Sequence, residues 1–137
     1  MDAEKMMKKD VFASFAEKAR KKLEEKKKQR TEKLHIPALG ETITITALTD
    51  QELMEVRDFS EDHNANDKYM IYISSPEIQE LAKELKESGD IDKYYDVADI
   101  FKRADRRKIA EKILELSGVY EESTVKVISE TEEIKKQ

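Results

Sequence analysis

The first 34 residues carry one short run of apolar side chains at helical spacing, followed by a polar stretch. Side chains three or four positions apart share one face of a helix, so the run predicts an N-terminal helix over residues 10–29. Its apolar members are Phe12, Phe15, Ala16, Ala19 and Leu23. Residues 24–33 contain no apolar side chain. We therefore expect the first half of this helix to pack on the rest of the chain and the second half to protrude.

The next segment alternates between apolar and polar residues, which is the period of a β-strand. Its apolar positions are Leu34, Ile36, Ile43, Ile45 and Ala47. Thr42, Thr44 and Thr46 occupy the intervening positions, where β-branched side chains suit a solvent-facing strand surface. Residues 37–40 read Pro-Ala-Leu-Gly and supply a turn. The pattern predicts a β-hairpin that must lie on helices, because two strands alone are marginally stable.

Helix-start signals follow the hairpin. Thr49 and Glu52 form a capping box, and the helix after it turns Leu53, Val56 and Phe59 inward. Residues 61–67 are predicted to be a polar loop, followed by a short apolar turn or helix over residues 69–73. Ser75-Pro76 then starts a helix with a Ser N-cap and Pro at its first position.

The later helices show the same apolar spacing. One runs from residue 76 to Gly89, another begins at Asp90 or Asp92, and Asp105 is expected to cap the last, which Ser117-Gly118 closes. Their apolar positions are Ile78, Leu81, Ala82, Leu85, Tyr94, Val97, Ala98, Phe101, Ile109, Ala110, Ile113, Leu114 and Leu116. Residues 125–128 are a candidate for one further strand. The predicted fold class is α+β, mostly α: an N-terminal helix, one β-hairpin, and a bundle of four to five short helices.

Charge divides the chain unevenly. Of its 137 residues 42% are charged, against roughly 25% in average globular chains. Residues 1–34 carry a net charge of +5, whereas the remainder carries −10. We predict three parts: a basic helix or arm over residues 1–33, a hairpin plus helical domain over 34–118, and an acidic, flexible tail over 119–137.

Composition and motifs exclude several classes of function. The absence of cysteine rules out disulfide scaffolds, thiol catalysis and cysteine-ligated metal sites. No uncharged stretch exceeds eight residues, and no secretory signal is recognisable, so we expect a soluble cytoplasmic protein. Phosphate-binding glycine loops and nucleophile elbows are missing as well.

The remaining candidates for chemistry are weak. His35 is expected to be an ordinary strand residue. Asp62, Asn64 and Asn66 match the first positions of a calcium loop, but the required Gly position is Asp67 and the position for the bidentate Glu is Ile73. We therefore predict no catalytic residue, no metal site and no cofactor, and expect that the protein is not an enzyme.

Several segments, in this order and spacing, resemble the tail assembly chaperones of Gram-positive phages, in particular the Bacillus prophage type. The similarity covers roughly residues 11–120. It is carried by residues 35–40 (HIPALG) with the Thr/Ile strand after them, 48–52 (LTDQE), 74–77 (SSPE), 96–101 (DVADIF) and 113–118 (ILELSG). The lysine run at 26–28 is not characteristic of that family.

The resemblance implies a non-catalytic protein that acts in the cytoplasm of the host cell and is absent from the mature virion. Its partners would be the tape measure protein and the tail tube protein, and homo-oligomerisation is left open. A groove for an amphipathic client helix would use exposed apolar side chains, although core packing is the commoner role of such residues. The candidate partner-binding residues are Phe12, Phe15, Tyr69, Tyr72, Tyr94, Tyr95, Ile100 and Phe101. Tyr95 and Ile100 lie off the main stripe of their helix and are the better surface candidates.

Two alternatives stay open. The first is a small nucleic-acid-associated regulatory protein that uses the basic arm, since Lys and Arg neutralise phosphate charge. The acidic body of the chain and the absence of stacking aromatic strands argue against it. The second is a minor structural component of the tail.

Overall fold

The computed structural model describes residues 3–128, with side chains from residue 9 onward. It confirms the predicted fold class: mostly helical α+β with a single antiparallel hairpin in the described part of the chain. The elements are α1 (Ala3–Lys27), β1 (Thr31–Ile36), β2 (Glu41–Thr46), α2 (Asp50–Phe59), α3 (His63–Ser74), α4 (Pro76–Glu87), a 3₁₀ helix (Tyr94–Ile100) and α5 (Arg103–Leu116).

The hairpin forms as its alternation predicts. Leu34 pairs with Ile43 across the two strands, and Ile36, Ile43 and Ile45 are buried. In the four-residue connection Gly40 adopts φ +64°, a conformation that costs glycine little. The apolar face of the hairpin packs on the helices and completes the core.

The outer edge of β2 is covered by the helical bundle, which corrects the expectation that Thr44 and Thr46 face solvent. Thr44 donates its backbone N–H to both carboxylate oxygens of Glu77 (3.1 Å each) and its hydroxyl to one of them (2.7 Å). Ser74 Oγ accepts the N–H of Thr46 at 3.0 Å and donates to its carbonyl at 2.8 Å. Both threonines are half-buried as a result.

The core lies where the hairpin meets α3, α4, the 3₁₀ helix and α5. Ile45, Ile71, Val97, Ala98 and Ile113 are completely buried. The capping box of Thr49 and Glu52 and the Ser75 cap of α4 are confirmed. No helix of the described residues is both long and apolar enough to cross a membrane.

The predicted loop over residues 61–67 is wrong, because α3 already begins at His63. Its polar residues serve the helix start: Asp62 accepts the N–H of Asn64 at 3.1 Å as N-cap, and Asn66 donates to the Ser60 carbonyl at 2.9 Å. Asp67 is buried and paired with a basic side chain of α5. Local turn propensity was outweighed by these contacts.

Three further expectations are corrected. The segment 94–100 is a 3₁₀ helix and does not extend back to Asp90 or Asp92. Helix α5 starts at Arg103, so Asp105 lies inside its first turn and does not cap it. Residues 121–128 form no strand, and residues 129–137 of the predicted acidic tail lie outside the described range.

Candidate partner-binding surface

The structure separates the eight candidate residues into three places. Phe12 and Phe15 lie on α1, whereas the tyrosines and Ile100 lie on or beside the helical bundle. Phe101 is only 2% exposed and belongs to the core, so it is not available at the surface. The seven remaining candidates therefore belong to two separate apolar surfaces, not to one continuous groove.

The first surface, here named the arm stripe, consists of Val11, Phe12, Phe15 and Leu23. These four side chains are 60–71% exposed, and both phenylalanines reach 71%. At 100° per residue they span about 120° of the helix circumference, a single face. The expected docking of the first half of α1 is therefore wrong for these side chains.

Charge limits how the arm stripe can be covered. Lys22 and Lys26 fall on the same face as Leu23. The arm stripe is therefore continuously apolar only in the first part of α1, and Leu23 lies among lysines. Seven Lys or Arg residues lie between positions 18 and 28. A partner for this helix would match it with apolar side chains opposite Phe12 and Phe15 and with carboxylates further along.

The second surface, here named the aromatic patch, is built by Phe59, Tyr69 and Tyr95, with Tyr72 and Tyr94 beside it. Phe59 stacks on Tyr69 with ring centroids 4.4 Å apart and meets Tyr95 edge-to-face at 5.0 Å. Tyr72 and Tyr94 stack at 6.0 Å. These geometries are favourable for aromatic pairs, so the rings mainly join α2, α3 and the 3₁₀ helix.

Some of the aromatic patch still faces solvent. Phe59 is 37% and Tyr94 is 42% exposed, and Ile100 is 36% exposed. The Tyr94 ring also carries the Lys86 ammonium 4.2 Å from its centroid, a cation–π contact. Sequence reasoning missed Phe59 as a surface residue because it assigned that side chain to the interior.

Both carboxylates and lysine side chains lie next to the aromatic patch. Burial raises the pKa of Tyr69, and the nearby Glu55 and Glu52 carboxylates raise it further, because negative charge disfavours the phenolate. Beside it, burial alone would lower the pKa of Lys68, but hydrogen bonds with Asp96 and Asp99 outweigh that effect and raise it. The corresponding N–O distances are 2.9 and 3.0 Å.

One partly buried ion pair joins α3 to α5. Arg107 Nη1 donates to both carboxylate oxygens of Asp67, at 3.0 and 2.9 Å. Burial raises the pKa of Asp67, while the Arg107 guanidinium acts in the opposite direction. The shift thus has a structural cause, the packing of two helices.

Candidate metal ligands are dispersed in the folded chain. In the described residues no three His, Cys, Asp or Glu side chains converge as a metal-binding set. Asp62 and Asn66, which began the calcium-like pattern, are instead engaged at the start of α3.

Comparisons with protein-family models, with curated proteins and with solved structures gave no match for this chain.

Proposed function

We propose that this protein is a non-catalytic phage tail assembly chaperone that binds the tape measure protein, the tail tube protein, or both, in the host cytoplasm. The resemblance of residues 11–120 to that family supports this function, and so does one structural observation. The arm stripe exposes two phenylalanines by 71% each on a helix that makes no use of them in the described part of the fold.

Exposed phenylalanines at helical spacing suit the recognition of an amphipathic client helix. Burying a Phe side chain contributes about 1.5–3 kcal/mol, and about 70% of that gain is still open for each ring. The pair would therefore add about 2–4 kcal/mol to binding, which corresponds to about 30- to 700-fold in affinity. The basic residues of α1 favour a client segment with carboxylates beside its apolar face.

A pulldown tests the proposal, using the tape measure and tail tube proteins encoded beside this chain. The wild-type protein is expected to retain at least one of them, and Phe12→Ser/Phe15→Ser to lose it. Lys21→Gln/Lys22→Gln changes the same helix but keeps both rings, so capture should persist and be weakened only by the loss of two favourable charges. Failure of the folded wild type to retain either partner would refute the proposal.

The basic face of α1 favours one alternative, a nucleic-acid-associated regulatory protein. Phosphate binding by this face would fall steeply with salt. In a salt-titrated shift assay with DNA and RNA, that alternative requires Lys21→Gln/Lys22→Gln to weaken binding and Phe12→Ser/Phe15→Ser to leave it intact. The two double variants thus give opposite patterns for the two functions.

A different measurement distinguishes a minor structural component of the tail from a chaperone. Mass spectrometry of purified particles should detect such a component at a fixed stoichiometry. A chaperone should be absent from the same particles.

A further inference from the structure

The two edges of the hairpin differ in how their backbone groups are satisfied. The Ala47 N–H donates to the Arg30 carbonyl at 2.8 Å, so this opposed pair is hydrogen-bonded. Bonded and non-bonded pairs alternate in an antiparallel ladder. The backbone groups of Thr31, Lys33 and His35 therefore point away from β2. No other backbone group of residues 3–128 is hydrogen-bonded to them, whereas Glu77 and Ser74 cover the outer edge of β2.

A groove of about 360 Å³ runs along this open edge, between β1 and α5. The half-buried Leu34 and the exposed Pro37 contribute apolar surface beside the buried Ile36 and Ile109, and Lys33, Lys108 and Lys112 add positive charge. Asp105 and His35 also line it. An open edge beside an apolar groove is the arrangement that accepts an added strand.

A strand-like segment is left without a partner in the same chain. Val125 is 84%, Val127 88% and Ile128 63% exposed, and the valines sit two positions apart, on one face of an extended chain. Residues 124–128 carry one charge, that of Lys126, and five glutamates flank them between residues 119 and 134, so the flanking residues complement the lysines of the groove.

The described part of the tail, residues 119–128, does not line this groove, although it starts near β1. Arg30 Nη2 lies 3.5 Å from the Glu121 carboxylate, so the tail begins beside the start of β1. From there Val125 and Val127 extend into solvent. The described chain thus contains both the open edge of β1 and a segment, residues 124–128, that suits it, but the two are not paired with each other.

We propose that two copies of this protein associate by strand addition, with residues 124–128 of one copy pairing with the outer edge of β1 of the other. Val125 and Val127 would enter the groove beside Leu34 and Pro37, and the glutamates that flank the pairing segment would lie near Lys108 and Lys112. This contact is independent of the arm stripe and of the proposed function.

Sedimentation equilibrium on the full chain tests this association between about 5 and 500 µM, the range that covers micromolar self-association. The wild type is expected to dimerise with rising concentration. Val125→Asn/Val127→Asn should weaken the dimer roughly tenfold or more, because two apolar side chains no longer become buried. The control Thr124→Asn/Lys126→Gln alters the opposite face of the same segment and should keep the dimer.

A second variant blocks the acceptor side. Lys33→Pro removes an N–H that points away from β2, so the hairpin keeps its own hydrogen bonds. The Lys33→Pro protein by itself should associate more weakly than the wild type. The Val125→Asn/Val127→Asn protein by itself should do the same. Mixing the two variants should restore dimers, since one intact edge then meets one intact tail.

Amide exchange separates the remaining outcomes. The amides of Lys33 and His35 should become protected as the concentration rises. A monomeric wild type throughout the range would overturn the proposal. Protection that does not depend on concentration would show that the tail docks on its own chain and would overturn it too. Dimers that survive Val125→Asn/Val127→Asn but vanish in Phe12→Ser/Phe15→Ser would assign the contact to the arm stripe.

Discussion

Ser74 joins the helical bundle to the hairpin through two hydrogen bonds to one residue. It is 2% exposed, accepts the Thr46 N–H at 3.0 Å and donates to the Thr46 carbonyl at 2.8 Å. Ser74→Ala removes only the hydroxyl, so no steric clash is added. Both backbone groups of Thr46 then lose their partner at the edge of β2.

The cost follows from leaving these groups unpaired. An unsatisfied buried donor or acceptor costs about 1–3 kcal/mol. Two groups are involved, but Thr46 is half-buried and water reaches it in part, so we expect a loss of about 2–3 kcal/mol in the free energy of unfolding. With an m-value of about 1–3 kcal/mol/M in urea, the midpoint should fall by about 0.7–3 M.

Urea unfolding followed by circular dichroism measures this loss. The control Ser123→Ala removes a hydroxyl from an exposed residue and should change stability by less than about 0.5 kcal/mol. The Thr46 amide should also exchange faster in Ser74→Ala. If Ser74→Ala behaves like Ser123→Ala in both measurements, the bonding of β2 through Ser74 is refuted.

Three further outcomes are expected. Phe12→Ser/Phe15→Ser should change the free energy of unfolding by less than about 0.5 kcal/mol, because both rings are exposed; a larger loss in thermal or urea unfolding would mean that α1 packs on the body. At Glu77 burial opposes ionisation, but the hydrogen bonds from Thr44 outweigh it and hold the pKa below its ordinary value. The stabilising contribution of Glu77 should therefore be complete above about pH 4.5 and disappear as the pH falls through the lowered pKa of the folded state. Urea titrations between pH 7 and pH 3 should show that the free energy of unfolding depends less on pH in Glu77→Gln than in the wild type. An equal pH dependence in the two proteins would contradict this. Gly118 ends α5 with φ +81°, so Gly118→Ala should destabilise by about 1–2 kcal/mol, and an unchanged melting temperature would contradict this conformational cost.

Part of the candidate surface was predictable from the sequence. Helical spacing placed Phe12 and Phe15 on one face of α1 and marked Ile100 as lying off the main stripe. The same reasoning was wrong for Tyr95, which is half-buried against Phe59, whereas Tyr94, assigned to the stripe, is 42% exposed. Helical spacing also placed Phe101 on the same apolar stripe as Val97, and both side chains are buried. Spacing alone does not report whether a stripe meets a partner, so the exposure of α1 appeared only in the structure.

The errors in the predicted elements share one cause. Turn-forming residues dominate 61–67, yet Asp62 caps α3 and Asp67 pairs with Arg107, forty positions away. No local pattern encodes a partner at that distance. The 3₁₀ geometry of residues 94–100 and the early start of α5 depend in the same way on how neighbouring helices meet.

The sequence by itself determined the hairpin, its turn, the caps at Thr49 and Ser75 and the apolar faces, because each follows from residue spacing or a local hydrogen bond. Tertiary structure decided which edge of the hairpin is covered and which stays open. That choice depends on where Ser74 and Glu77 come to lie against β2, a contact between segments about thirty residues apart, which only the packing of the whole chain establishes.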